Sequence, residues 1–350
     1  MAVIPMITMN APTAYERGMQ YGTQAKKYIL ICLEYYKKIL CKKNSWATVQ
    51  RYADEFIPLV QAAYPKQMEE VKGIAAGSGL TVNDIMVINC RYEITKFPKL
   101  PECTTGAVLS GATKAGTVLS FKNWDYDERI LPHAIALDIT DETGLHLLAI
   151  TEAGQMLRDG MNNYGIGLGA NNLQSIFDTS GHGMPVTFMR RAVMECHTFA
   201  EAERVILQSK RTVSGNLVLT SGKTNQARDY ELTPKGADTI DPENNIITHA
   251  NHFVINPAVD KLTGRPKNRD ARARELLMEN YGNVTVEVIK QILSDHKYYP
   301  LSICGHPDPA GIPYVQHRQT VVSMIFDYGQ SEAHICLGNP CQSKYVVYKV

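Results

Sequence analysis

Apolar residues recur at near-helical spacing from Ala14 to Leu40, through Tyr15, Tyr21, Tyr28, Ile29, Cys32, Leu33 and Tyr36. The pattern predicts a helix over 14–40. A second is expected over 45–64, closed by Pro65, and a third over 67–76, stopped by Gly77-Ser78-Gly79. Thr81-Val82-Asn83-Asp84 reads as a capping box with Asp in place of the usual Glu or Gln, opening a helix through Tyr92. Ahead of these, 3–9 reads as a short strand, and Pro5 places it at a sheet edge.

Near residue 97 the character changes. Pro98, Pro101 and Thr104-Thr105-Gly106 break the helical period. Runs rich in β-branched residues follow at 105–110, 116–122, 133–139, 144–151 and 165–171, separated by turn signals such as Lys114-Ala115-Gly116 and Asp141-Glu142-Thr143-Gly144. Helices are expected at 185–195 and 199–209, and strands at 212–220, 228–233 and 245–249. Two more helices fit 269–280 and 284–294, the second opened by Asn283, before closing strands at 319–327, 332–337 and 344–349. Strands in antiparallel runs, with helices grouped around them, predict an α+β layered fold over 1–350 as one domain.

Composition narrows the function classes. The 350 residues carry 36 Lys+Arg against 35 Asp+Glu, a net charge of +1. That balance lacks the basic excess of a phosphate-tracking protein, so no nucleic-acid partner is expected. With 44% hydrophobic and 20% charged residues the chain has the content of a folded globule. No apolar run approaches the ~20 residues of a membrane span. Pro5 and Pro12 interrupt a first segment that has no basic leader. A cytoplasmic location without a membrane partner is the expectation.

The eight cysteines show no CxxC pair and read as reduced thiols, with no metal and no cofactor expected. Phosphate-loop, GxSxG and HExxH signatures are absent. Gly165-Ile166-Gly167-Leu168-Gly169 lacks dinucleotide-fingerprint spacing. His249-Ala250-Asn251-His252 offers two histidines without an accompanying carboxylate or cysteine motif, which favours a structural or site-lining role over metal binding. What remains is Pro101-Glu102-Cys103-Thr104-Thr105-Gly106, at the junction between the helical part and the first strand of the sheet region. Asn123-Trp124-Asp125 follows on the expected next strand. A carboxylate there can lie beside Cys103, because opposed residues of adjacent antiparallel strands are about 5 Å apart.

Together with Gly18–Gly22, Val71–Ala75, Ile150–Gly154, Asn162–Gly165, Asn171, Thr248–His252, Tyr299–Cys304 and Thr320–Asp327, in that order along the chain, these residues make the sequence resemble the acyl-coenzyme A:isopenicillin N acyltransferase family of N-terminal nucleophile hydrolases. The resemblance implies a four-layer αββα sandwich and a precursor that cuts itself between Glu102 and Cys103, giving an α chain 1–102 and a β chain 103–350. It implies Cys103 as nucleophile, Asp125 as partner of the freed α-amine and Asn251 as oxyanion donor. Thr105, Trp124, Tyr126, Asn171 and Arg318 are the candidate substrate contacts. Core packing is an equal reading for Trp124 and Tyr126, and a turn role competes for Asn251.

Two departures stand out. The family usually carries Gly before its cysteine, where this chain has Glu102. The penicillin enzymes carry an Arg after Tyr-Pro-Leu-Ser-Ile-Cys, where this chain has Gly305-His306; that argues against a β-lactam carboxylate and leaves Arg318 as a substitute clamp.

The expected activity is an amide hydrolase or acyltransferase working through an acyl-thioester on Cys103. Its partners would be a small-molecule amide or acyl donor and an amine, with acyl-coenzyme A as an admissible co-substrate, and a homo-oligomer is left open. Competing readings are an unprocessed, non-catalytic small-ligand binder of the same fold and a metallohydrolase built on His249 and His252.

Overall fold

The computed structural model describes residues 3–95, 103–179, 181–262, 267–311 and 315–350. After β1 (Met6–Met9) come α1 (Ala14–Gln24), α2 (Lys26–Leu40), α3 (Trp46–Asp54), α4 (Ile57–Ala63), α5 (Pro65–Ser78), α6 (Val82–Asn89) and α7 (Arg91–Thr95). The sheet region opens with β2 (Thr104–Val108), β3 (Leu119–Asp127), β4 (Ala134–Thr140), β5 (His146–Glu152), β6 (Asp159–Asn162) and β7 (Ile166–Asn171). Then follow α8 (Val186–Met194), α9 (Phe199–Gln208), β8 (Gly215–Ser221), β9 (Gln226–Thr233), β10 (Gly236–Ile240) and β11 (Ile246–His249). The chain closes with α10 (Arg269–Glu279), α11 (Val286–Leu293), β12 (Arg318–Asp327), β13 (Glu332–Leu337) and β14 (Val346–Lys349).

Strand alternation builds the layers. One sheet has the order β1-β4-β5-β6-β7-β8-β9-β10, the other β11-β2-β3-β12-β13-β14. Along β4, Ile135, Leu137 and Ile139 point outward onto Ile29, Leu33, Val71 and Ile85 of the helical first part and Val193 of α8. The alternate residue Ala136 faces the second sheet, where Leu148, Ile150 and Met161 meet Trp124, Val322 and Met324. On the far side of the second sheet, Val108, Phe121 and Ile325 pack under Leu277, Ile289 and Leu293 of α10 and α11. The result is the four-layer αββα sandwich that the resemblance implies. β1 is an edge strand, parallel to β4, as Pro5 requires.

Glycines permit the closest approaches. Gly18 and Gly22 of α1 lie against Gly73 and Gly77 of α5. A Cβ at these four positions would come 2.1 to 2.5 Å from a carbonyl oxygen of the facing helix. In β7, a Cβ at Gly167 would fall 1.7 Å from the Tyr328 hydroxyl and one at Gly169 2.6 Å from Thr105 Cγ2. Gly167 and Gly169 of the Gly-x-Gly-x-Gly run are therefore sheet-to-sheet contacts.

Several boundaries differ from the sequence expectation. The 14–40 helix breaks at Ala25, and the 45–64 helix breaks at Glu55–Phe56, ahead of Pro58 in the first turn of α4. α5 runs through Gly77 and stops at Gly79, whose φ of 75° is the left-handed C-cap geometry. The cap of α11 is Thr285, whose hydroxyl accepts from Val288 N at 3.2 Å, not Asn283. β6 and β10 were not expected. The Thr81–Asp84 capping box forms with both of its hydrogen bonds. Among the described residues no single helix is long and apolar enough to cross a bilayer; α5 and α6 reach the length only as a pair bent by 118°.

Candidate active site

Cys103 stands one residue ahead of β2, an interior strand flanked by β11 and β3. Glu102, the other half of the expected scissile bond, lies outside the described residues. The register sets Thr104 opposite Asn123 and Thr105 opposite Lys122, so continuing it by one sets Trp124 opposite Cys103. Alternation then turns Cys103, Thr105, Lys122 and Trp124 toward the first sheet and Asn123 and Asp125 toward the outer helices. Cys103 is 0% exposed and shares its apolar cluster with Trp124 and Tyr126. The expectation that the Asp125 carboxylate lies directly across from Cys103 is modified by one residue: the Cys103 thiol faces the Asp125 backbone carbonyl at 3.8 Å.

Cations surround the sulfur. Arg158 Nη2 donates to Cys103 Sγ at 3.6 Å, and Nη1 donates to the Tyr92 hydroxyl at 3.0 Å. The same guanidinium lies over the Trp124 ring at 4.6 Å. Against the effect of burial, Tyr92, Cys103 and Asp159 hold the Arg158 guanidinium above its ordinary pKa. Lys122 is buried beside them, donating to Asp159 Oδ1 at 2.6 Å and to the Ala170 carbonyl. Burial pushes its amine down to about 8, although Asp159 and Cys103 pull the other way. From the opposite side Arg269, in the first turn of α10, donates to the Cys103 carbonyl and, at 3.3 Å, to both Thr104 Oγ1 and Asn251 Oδ1. Asn251 is thus joined to Cys103 through one guanidinium, while its own Nδ2 donates to the Asn172 carbonyl at 2.9 Å.

Asp125 is held by Thr320, whose hydroxyl donates to Oδ1 at 2.6 Å, and by Arg318 on Oδ2. Arg318 also donates to the carbonyls of Pro300 and Ser302. It is 3% exposed, so in this structure it anchors Asp125 and the 300–302 loop. Thr105 and Asn171 belong to an inter-sheet network. Thr105 Oγ1 donates to Asn171 Oδ1 at 2.8 Å, and Asn171 Nδ2 donates to Asn216 Oδ1 at 2.8 Å. The network continues to His249, whose two ring nitrogens donate to Ala250 O and Glu231 Oε1. Burial would lower this imidazole, but Asp229 and Glu231 hold it up at about 9. With both nitrogens engaged, His249 has no lone pair for a metal.

A narrow cleft opens beside this centre, lined by Tyr92, Asn172, Asp178, Val186, Arg190 and Ser214 among others. Tyr92 sits one hydrogen bond from Arg158, which touches Cys103, and Asn172 accepts from Asn251, which reaches Cys103 through Arg269. Arg190, on α8, is 6% exposed. Among the described residues no hydrogen bond or ion pair reaches its guanidinium, and its Nε is shut off from solvent. Burial pushes it down to about 10, and the charge of Arg158 adds to the effect.

Of the sequence-derived residues, Cys103, Trp124, Tyr126 and the Asp125 backbone come together, and Arg269 ties Asn251 to them. Thr105 and Asn171 brace each other across the two sheets. Arg158, Lys122, Arg269 and Arg190 were not singled out from sequence. A lysine inside an apolar strand and the Arg158-Asp159 doublet before a strand were the available signals, since buried charges are rare without a partner.

Cys103 thus stands at the head of an interior strand of an αββα sandwich, with one guanidinium on its sulfur and another on its carbonyl. Residues 112–342 match the profile of the acyl-coenzyme A:6-aminopenicillanic acid acyl-transferase family, and the chain belongs to that family. The matched stretch begins after Cys103. Over 339 residues, 94% of this chain and 91% of the relative, the sequence is 26% identical to the acyl-coenzyme A:6-aminopenicillanic-acid-acyltransferase 40 kDa form of Emericella nidulans. Similar solved structures include a conjugated bile acid hydrolase from Clostridium perfringens (C2A mutant; TM-score 0.47, 13% identity, 71% of this chain and 97% of that one). Another is penicillin V acylase from Agrobacterium tumefaciens (TM-score 0.45, 12% identity, 66% and 82%). Likeness of that degree fixes neither substrate nor mechanism. Family membership supports an enzyme of acyl transfer or amide hydrolysis.

Proposed function

We propose that the chain is a self-processing N-terminal-cysteine amidohydrolase or acyltransferase. The observation that supports this best is the placement of Cys103, buried at the start of β2 with Arg158 on its sulfur and Arg269 on its carbonyl. In processing, the Cys103 thiol attacks the Glu102 carbonyl. A C–S bond forms, the Glu102–Cys103 C–N bond breaks, and the thiol proton ends on the Cys103 nitrogen. Water then resolves the thioester to a Glu102 carboxylate and a free thiol. The freed α-amine, ordinarily titrating near ~7.7–8.0, takes the thiol proton during turnover and returns it to the leaving amine. The acyl group rests on Cys103 as a thioester until water or an acceptor amine attacks it.

Arg158 presents positive charge to the sulfur that leaves and returns, and Asp125, fixed by Arg318 and Thr320, is assigned as the partner of the freed α-amine. Asn251 is the oxyanion donor; turnover exchanges its present acceptor, the Asn172 carbonyl, for the developing alkoxide. Arg190, with its Nε buried and unpartnered, gives the adjoining cleft a cation, so the favoured substrate is an N-acyl compound whose amine part carries a carboxylate. Incubation with acyl-coenzyme A and activated acyl esters tests the reading. A Cys103-containing peptide heavier by the acyl group, cleaved by hydroxylamine and absent from Cys103→Ala, is expected. Full activity in Cys103→Ala would overturn it.

A further inference from the structure

A second constellation lies on the far side of Asp125. His296 follows α11, Cys304 and His306 flank Gly305, and Cys341 lies between β13 and β14. One ligand atom from each of the four lies within 4.8 Å of all the others. The contacts are His296 Nε2 to His306 Nε2 at 3.0 Å, Cys304 Sγ to His306 Nε2 at 3.5 Å, Cys341 Sγ to His306 Nε2 at 3.3 Å and Cys304 Sγ to Cys341 Sγ at 3.6 Å. Zinc binds sulfur at ~2.3 Å and imidazole nitrogen at ~2.0–2.1 Å, so the edges of its tetrahedron run from about 3.3 Å (N to N) to about 3.8 Å (S to S). Four of the six edges come within a few tenths of an ångström of those values, and the two from His296 to the sulfurs lie within 4.8 Å.

The surroundings suit a metal. Asn339 Nδ2 lies 3.6 Å from Cys304 Sγ and also donates to the Gly305 carbonyl, which is the outer support that metal thiolates usually have. No carboxylate belongs to the set. Two thiolates neutralise a divalent ion and release two protons, leaving an uncharged centre near Arg318. Sequence spacing hid the cluster, because its residues come from three separate segments and form no CxxC or HxxxH motif.

We infer that His296, Cys304, His306 and Cys341 form a four-ligand structural zinc site. Four protein ligands leave no open position for substrate or water, so the metal is a tie and not a Lewis acid. It joins the loop after α11 to the β13–β14 connection. Gly305, between two ligands, donates its N–H to Thr320 Oγ1 at 2.8 Å, and Thr320 in turn donates to Asp125. The tie therefore fixes the shell that orients Asp125.

The test is metal analysis of the full-length protein prepared under reductant, with cobalt(II) as a spectroscopic probe. About one zinc per chain is expected to survive dialysis. Cobalt(II) added to metal-stripped protein should give the intense visible bands of a tetrahedral site with thiolate-to-cobalt charge transfer, reversed by zinc. Cys341→Ser and His296→Ala alter exposed ligands, so their folds are checked by circular dichroism; each should lose the charge-transfer intensity or the zinc. Folded, reduced protein that takes up neither metal would overturn the inference. So would a cobalt spectrum indifferent to both substitutions, or a Cys304–Cys341 disulfide in protein isolated anaerobically.

Discussion

Arg190 has no hydrogen-bond or ion-pair partner among the described residues, yet it lines the cleft next to Cys103. A buried guanidinium is costly unless something anionic satisfies it. Hydrogen bonds to charged groups contribute about 1.5–3 kcal/mol, so Arg190→Gln should raise KM for carboxylate-bearing N-acyl substrates by roughly 10- to 100-fold. The same change should leave uncharged amides nearly unaffected; steady-state kinetics on matched substrate pairs decides it. His249 makes a pH prediction. Its native pKa is raised to about 9, so the stability it contributes is fully present below its ordinary ~6.5 and is lost as pH rises toward 9. Glu93, raised to about 7 by burial, and Lys122, lowered to about 8, frame a window from pH 7 to 8 in which His249 dominates. Denaturant titrations should show stability falling across that window in the native chain and a flatter slope in His249→Gln. At this scale Cys103, Asp125 and Asn251 could be named as candidates because they carry a resemblance in order and spacing. Arg158, Lys122, Arg190 and Arg269 were not, because their distinguishing property is burial, which a sequence does not display.

The pairing of α1 with α5 rests on four glycines, and it is the contact through which the first helices lie flat on one another. An alanine Cβ at Gly73 would sit 2.1 Å from the Tyr15 carbonyl oxygen and 2.8 Å from Met19 N, both backbone atoms that cannot yield. Gly73→Ala should therefore destabilise by about 1–3 kcal/mol or more. Gly236→Ala in β10, where an added Cβ meets nothing within 4 Å, should stay within about 0.5 kcal/mol. Thermal unfolding of the two variants checks the contrast. Elements with local signals were readable: the Thr81–Asp84 box, the Gly79 stop and the Pro5 edge strand. Pro58 marked the break before α4 and was available to the eye. The break at Ala25 was not, since alanine is the best helix former. β6 (Asp-Gly-Met-Asn) has little strand propensity of its own and exists because β5 and β7 hold it on either side.

At the scale of the whole molecule, residues before Cys103 supply the helices α1 to α7 and one edge strand, and the remainder supplies every other strand of both sheets. The apolar cluster of the first layer draws on both parts, from Ile29, Leu33, Val71 and Ile85 on one side to Ile135, Leu137 and Val193 on the other. A cut at Glu102–Cys103 would therefore leave two chains packed as one particle. Intact mass spectrometry of the purified protein, run beside native size-exclusion chromatography, tests this most directly. The 39.0 kDa, 350-residue chain is expected to resolve in denaturant into pieces of about 11 and about 28 kDa, the larger beginning at Cys103, while eluting as one species under native conditions. Cys103→Ala is expected to stay whole. A native chain that stays at full mass after prolonged incubation, with a Cys103 that no acyl donor modifies, would contradict the assignment of Cys103 as an N-terminal nucleophile.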